Sequence, residues 1–112
     1  MLKLYHNPRC SKSRACLQIL QNASIPVEII HYMEGGLSES LLARFAETLG
    51  LSTIIRENEA IYKELNLANA DKKTVLKAML AHPKLLQRPI AELDGRIILA
   101  RPPEKIVELF HD

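Results

Sequence analysis

The order of elements in the first 31 residues restricts the fold more than any other feature of the chain. Residues 2–5 form a short apolar run that predicts a strand, and Ser11–Asn22 has the spacing of an amphipathic helix. Residues 27–30, rich in β-branched side chains, predict a second strand. A strand-helix-strand unit this short implies two parallel strands joined by a right-handed crossover.

The middle of the chain, from about residue 38 to residue 87, reads as mostly helical. Ser38 is placed as an N-cap, and apolar residues follow it at helical spacing until Gly50. Residues 53–65 predict a further short helical piece that contains Arg56. A third helical pattern follows Asp71, and Pro83 ends or kinks it.

The C-terminal part predicts a β-hairpin and a last helix. Residues 89–93 and 96–100 are short apolar runs joined by Asp94-Gly95, a dipeptide typical of tight hairpin turns. Pro102 and Pro103 then open a helix with Ile106, Val107 and Phe110 on one face. The whole order, β-α-β, helices, β-β-α, favours a single α/β domain over residues 1–112.

Composition excludes several classes of function. The net charge of +2 and the scarcity of aromatic residues argue against nucleic acid as a partner. No apolar stretch has the length of a transmembrane helix, and the N-terminus lacks the pattern of a signal peptide. The expected location is the cytoplasm, where two cysteines remain free thiols.

Cys10 is the strongest candidate for a reactive group. It lies where the first predicted strand turns into the first predicted helix, so its sulfur faces free backbone N–H groups and the positive end of the helix dipole. Both favour the thiolate, which is the nucleophilic form. Because the same turn suits an oxyanion, the sequence indicates a thiolate that attacks an oxyanion.

The second cysteine, Cys16, does not suit a disulfide with Cys10. A separation of six residues in a helix is about 9 Å along its axis, whereas bridged Cα atoms lie within about 7 Å. Cys16 is therefore interpreted as a small core residue, and Ser13 occupies the partner position of a C-x-x-C motif. A thiol that resolves Cys10 must come from outside the chain.

Four separated motifs resemble the ArsC family of glutaredoxin-coupled arsenate reductases. They are His6-Asn7-Pro8-x-Cys10-x-x-Ser13-Arg14, Ile55-Arg56-x-Asn58, Leu86-x-Arg88-Pro89-Ile90 and Ala100-Arg101-Pro102. The resemblance covers nearly the whole chain in order. It implies a thioredoxin-like fold, βαβ then ββα, with the helical middle as an insertion between the two halves.

The resemblance also implies a mechanism and a set of site residues. Cys10 would attack arsenate, and Arg56, Arg88 and Arg101 would hold the oxyanion. Glutathione would be the co-substrate and glutaredoxin the partner, with no bound cofactor and no metal. A cis peptide bond is expected before Pro89.

Supporting roles are expected for residues near Cys10. His6 is expected to lower the pKa of the thiol, by its charge or by a hydrogen bond, and Ser13 to donate to the thiolate. Asn7 and Arg14 are expected to shape the loop. The remaining cations and histidines are interpreted as solvated surface or loop residues; they include Arg9, Lys12, Arg44, Arg96, His31 and His82.

Two alternatives remain open. The same site could reduce another oxyanion or a small disulfide. Some relatives of this fold are instead Spx-type transcriptional regulators that bind RNA polymerase, but these carry C-x-x-C at this turn, and Ser13 departs from that pattern.

Overall fold

The computed structural model describes residues 1–110, which form two compact units. One unit comprises Met1–Gly36 and the chain from Arg88 onward, and the other comprises Leu37–Gln87. The second unit matches the segment predicted as an insertion. Residues 111 and 112, the end of the predicted single domain, lie outside the described residues, and the single domain stays a prediction.

The first unit contains a four-stranded mixed sheet. Its strands are β1 (Leu2–His6), β2 (Val27–His31), β3 (Ile90–Leu93) and β4 (Arg96–Leu99), in the order β2-β1-β3-β4. β1 is parallel to β2 and antiparallel to β3, which is antiparallel to β4. This arrangement confirms the expected βαβ and ββα halves of a thioredoxin-like fold.

Helix α1 (Ser11–Asn22) connects β1 to β2, and a 3₁₀ turn (Pro103–Ile106) leads into the short helix α6 (Val107–Phe110). These elements cover the sheet with one apolar core. Its fully buried members are Leu2, Leu4, Cys16, Leu20, Ala91, Ala100, Ile106 and Leu109. Cys16 is 0% exposed, so its interpretation as a core residue is confirmed.

The tight turn between β3 and β4 confirms the hairpin prediction. Asp94 and Gly95 both have positive φ, +51° and +83°, which is the conformation that a two-residue hairpin loop requires. Arg96, which the sequence places among the solvated charges, is exposed. Its guanidinium donates to the carbonyl oxygens of Glu108 and Leu109, at the end of α6.

The second unit is helical. It contains α2 (Glu39–Leu49), α3 (Leu51–Ile54), α4 (Ala60–Glu64) and α5 (Lys72–Ala81), with 3₁₀ turns at Leu67–Asn69 and Pro83–Leu85. The predicted cap is present: Ser38 Oγ accepts a hydrogen bond from the N–H of Leu41 at 3.1 Å. None of the helices in residues 1–110 combines the length and apolar character needed to cross a membrane.

The prediction of one helical piece over residues 53–65 is wrong. Helix α3 ends at Ile54, and Ile55 is extended and forms a β-bridge with Leu86. The N–H of Arg56 donates to the carbonyl of Leu85 at 2.7 Å. Arg56 therefore lies in a non-helical segment between α3 and α4.

Candidate active site

The turn between β1 and α1 holds Cys10 at the N-cap position of the helix. The N–H of Cys10 donates to the carbonyl of Asn7 at 3.0 Å, and the carbonyl of Cys10 accepts from the N–H of Arg14 at 3.0 Å. With φ −94° and ψ 123°, Cys10 has the extended backbone of a cap residue. Its side chain occupies the position that the oxygen of a capping side chain usually takes. The residue is only 8% exposed.

Opposing effects act on the Cys10 thiol. Burial raises its pKa, but the backbone N–H groups of Ser13 and Lys12 and the guanidinium of Arg88 lower it more, so the pKa lies below its ordinary value. No N–H forms a full capping hydrogen bond with the sulfur. The first turn of α1 nevertheless stabilises the thiolate, as the sequence predicted for a sulfur at a helix start.

The environment of Cys16 disfavours the thiolate. Burial raises the pKa of its thiol to about 12, with no compensating donor or cation. Cys16 therefore stays a protonated, inert thiol at neutral pH. The two cysteines of one helix differ because only one of them is at its N-terminus.

Ser13 and His6 form a buried pair beneath the turn. His6 Nδ1 and Ser13 Oγ are hydrogen-bonded at 2.6 Å, and Ser13 Oγ also accepts from the N–H of Asn7 at 3.0 Å. The Ser13 hydroxyl thus contacts His6 and Asn7, and it is the backbone N–H of Ser13 that acts on the thiol. The structure does not show the predicted hydroxyl–thiolate contact.

His6 itself is uncharged at neutral pH. Burial is the main cause that lowers the pKa of its imidazole, and His31 and Arg14 lower it further. A positive charge on His6 is therefore not what lowers the pKa of Cys10. His6 ends β1 and faces His31, its partner in the register at the end of β2, with 5.8 Å between ring centroids.

Asn7 and Arg14 both form hydrogen bonds with residues of the loop before Cys10. Asn7 Oδ1 accepts from the N–H of Arg9 at 3.1 Å, and Arg14 Nη1 donates to the carbonyl of Pro8 at 2.9 Å. The first bond joins two residues of the loop before Cys10, and the second joins that loop to the first turn of α1. Both side chains therefore maintain the loop conformation without contacting the thiol.

Arg88 and Arg101 lie at the ends of the hairpin. Arg88 acts on Cys10 by its charge and by a side-chain hydrogen bond. Its Nε is buried and has no hydrogen-bond partner among residues 1–110. Arg101 Nη1 donates to the carbonyl of Arg88 at 3.0 Å, which places the second guanidinium beside the backbone of the first.

The peptide bonds that follow both arginines are cis. The cis bond at Arg88–Pro89 was expected, and Arg101–Pro102 is a second one. The carbonyl of Pro89 accepts from the N–H of Ala100 at 2.9 Å, which ties the two strand ends together. The hairpin therefore positions both arginines in the first unit.

Arg56 belongs to the second unit. Its guanidinium forms an ion pair with Glu59 at 3.3 Å and a hydrogen bond with the carbonyl of Lys84 at 3.4 Å. These contacts fix its side chain within the unit. Its role as an anion ligand stays a prediction.

Sequence reasoning missed the contribution of Lys12 through its backbone and the contact of His31 with His6. The second could have been found by extending both predicted strands by one residue, because their parallel register then pairs the two histidines. Within residues 1–110, no group of three or more His, Cys, Asp or Glu side chains is arranged to hold a metal ion.

Comparison with known proteins finds relatives over nearly the whole chain. Residues 5–109 match the model of the ArsC family. The chain is 37% identical to the uncharacterized protein YfgD of Escherichia coli, over 96% of this chain and 95% of that protein. It is 39% identical to an arsenate reductase of Neisseria meningitidis, with 94% of each chain covered.

The fold is also similar to that of solved structures. The arsenate reductase from Vibrio cholerae superposes with a TM-score of 0.90 at 39% identity, and 96% of each chain is covered. The family match spans the Cys10 turn, both hairpin arginines and the helical unit between them. The chain therefore belongs to the ArsC family.

Proposed function

We propose that this protein is an arsenate reductase in which the thiolate of Cys10 is the nucleophile and glutathione and glutaredoxin supply the electrons. The observation that carries the proposal is the pairing of Cys10 with Arg88. The guanidinium favours the thiolate, and its buried Nε has no partner among the described residues. A bound oxyanion would satisfy this donor, and planar guanidinium groups match tetrahedral oxyanions.

The first step joins sulfur to arsenic. The Cys10 thiolate attacks As(V) of H₂AsO₄⁻, one oxygen takes up a proton and leaves as water, and a Cys10–S–AsO₃H⁻ adduct forms. Two anions must approach each other in this step. Arg88 lowers that electrostatic cost, and we assign the same role to Arg101, in the same unit.

The second step moves two electrons to arsenic. The sulfur of a glutathione thiol bonds to the sulfur of Cys10 and loses its proton, while the S–As bond breaks and its electron pair stays on arsenic. The products are a Cys10–glutathione disulfide and As(III) as H₂AsO₃⁻. An external thiol is required because Cys16 is buried and its thiol is not ionised.

The last step regenerates the enzyme. Glutaredoxin removes glutathione from Cys10 by thiol–disulfide exchange, which returns the free thiolate. All electrons pass through sulfur, so the proposal requires no bound cofactor or metal. A cycle that needs free thiols and glutathione fits the reducing cytoplasm.

The test is arsenate-dependent formation of arsenite by the purified protein with glutathione and glutaredoxin. Cys10→Ser should abolish arsenite formation, whereas Cys16→Ala should retain it. Arg88→Gln should raise KM for arsenate, because it removes charge at the anion site. Wild-type protein that forms no arsenite under these conditions would refute the substrate assignment.

A further inference from the structure

A second feature lies beside the Cys10 turn in the first unit: a cavity of about 390 Å³. One side consists of residues 6–9, the loop that leads directly into Cys10, and the other consists of His31, Met33 and Glu34, at and beyond the end of β2. Pro8 and Met33 make part of its surface apolar. The volume lies within the range of about 300–1,000 Å³ that is usual for sites that bind small molecules.

The cavity wall carries two opposite charges, Arg9 and Glu34. Both residues are exposed, and neither side chain forms a hydrogen bond or ion pair with any residue of the described chain, 1–110. They therefore do not neutralise each other. A wall that offers a separate cation and a separate anion suits a ligand that itself carries both charges.

The reaction proposed above needs such a small ligand near Cys10. The resolving thiol must come from outside the chain, and it must bring its sulfur to the sulfur of Cys10. Arg9 is bonded to Cys10 through one peptide unit, so their Cα atoms are about 3.8 Å apart. The wall formed by residues 6–9 therefore ends at the residue next to Cys10.

We propose that this cavity, residues 6–9 with His31, Met33 and Glu34, binds the thiol co-substrate, and that it selects a peptide-like thiol with both a carboxylate and an ammonium group. Arg9 holds the carboxylate and Glu34 holds the ammonium. Pro8 and Met33 contact the aliphatic part of the ligand. The inference rests on the proposed function, because that function is what requires the ligand to be a thiol.

The kinetic test compares glutathione, which carries both charges, with 2-mercaptoethanol, which carries neither. Arg9→Gln and Glu34→Gln should each raise KM for glutathione several-fold and leave KM for 2-mercaptoethanol and for arsenate unchanged. Lys3→Gln and Glu28→Gln are matched controls, because both residues are exposed on the strands of the same sheet and neither lines the cavity. Unchanged KM values for glutathione in both cavity variants would overturn the inference and leave the proposed function intact.

A binding test separates the two proposals. S-methylglutathione has both charges but no free thiol, so its binding does not depend on any reaction. Titration followed by amide NMR should shift the signals of residues 7–9 and 31–34 in the wild type, and Arg9→Gln/Glu34→Gln should weaken binding at least tenfold. Absence of shifts at these residues would refute the cavity assignment, whether or not the protein reduces arsenate.

Discussion

The residue that decides the chemistry, Cys10, is governed by the balance between burial and nearby donors. Burial disfavours a charged sulfur, whereas two backbone N–H groups and one guanidinium favour it, and the donors have the larger combined effect. Cys16, six positions later in the same helix, has the burial without the donors. The pKa values of the two thiols therefore differ because the thiols lie at different positions along the helix.

Replacing Arg88 should raise the pKa of the Cys10 thiol. Among residues 1–110, Arg88 is the one side chain that lowers this pKa through charge. Arg88→Gln removes that charge, and glutamine can still form a hydrogen bond. The measurement is the rate of alkylation by iodoacetamide as a function of pH, with Cys16→Ala as the background. Arg44→Gln, in the helical unit, is the control, and an unshifted alkylation profile in Arg88→Gln would contradict the assignment.

Removing the Ser13 hydroxyl should destabilise the turn. Ser13→Ala leaves His6 Nδ1 and the N–H of Asn7 without their partner, and an unsatisfied buried polar group costs about 1–3 kcal/mol. The free energy of unfolding should fall by about that amount in urea denaturation. Ser11→Ala in the same helical turn is the control, since Ser11 is exposed; equal losses in both variants would argue against the buried pair.

At the scale of elements, helix starts and the hairpin could be predicted because their signals are local. Ser38 caps α2 and Asp94-Gly95 closes the hairpin through bonds and dihedral angles within a few residues. The segment around Arg56 could not be predicted in this way. Ile55 pairs with Leu86, 31 positions later, and this distant partner overrides the local tendency of residues 53–65 to form a helix.

The cap of α2 provides a test at this scale. Ser38→Ala removes the acceptor for the N–H of Leu41, and loss of an N-cap side chain costs about 0.5–2 kcal/mol. Chemical denaturation should show a decrease of that size. Ser38→Asn should restore most of the stability, because asparagine is an equally good cap; a loss in Ser38→Asn as large as in Ser38→Ala would rule out the capping role.

At the scale of the whole molecule, the core prevents the two cysteines from forming a disulfide with each other. Cys16 is 0% exposed within the sheet–helix core, whereas Cys10 lies outside that core, at the N-terminus of the same helix. Treatment of the folded protein with diamide should therefore produce no intramolecular disulfide, whereas added glutathione should form one mixed disulfide, at Cys10. Mass spectrometry of the intact protein and of its peptides distinguishes these products, and a Cys10–Cys16 bridge would contradict the need for an external thiol.

Global stability should decrease on mild acidification because of His6. Its pKa in the folded protein is below the ordinary value of 6.5, so between the two values the unfolded chain binds more protons than the folded one. The free energy of unfolding should therefore fall as the pH drops below about 6.5 toward the folded pKa. Above about pH 6.5, His6 should not affect the free energy of unfolding. NMR titration of the His6 ring should give a lower pKa in the folded protein than in urea; an equal or higher pKa would contradict the buried neutral state.

The sequence by itself determined the local elements, the position of the reactive thiol at a helix start and the motifs of the family, since each depends on neighbouring residues. Only the tertiary structure decided which groups act on that thiol. Arg88 is 78 positions from Cys10 along the chain, and antiparallel pairing of β1 with β3 brings its segment back beside the turn. Tertiary contacts also assigned the Ser13 hydroxyl to His6 and the Arg96 guanidinium to the last helix, because burial and packing depend on the whole fold.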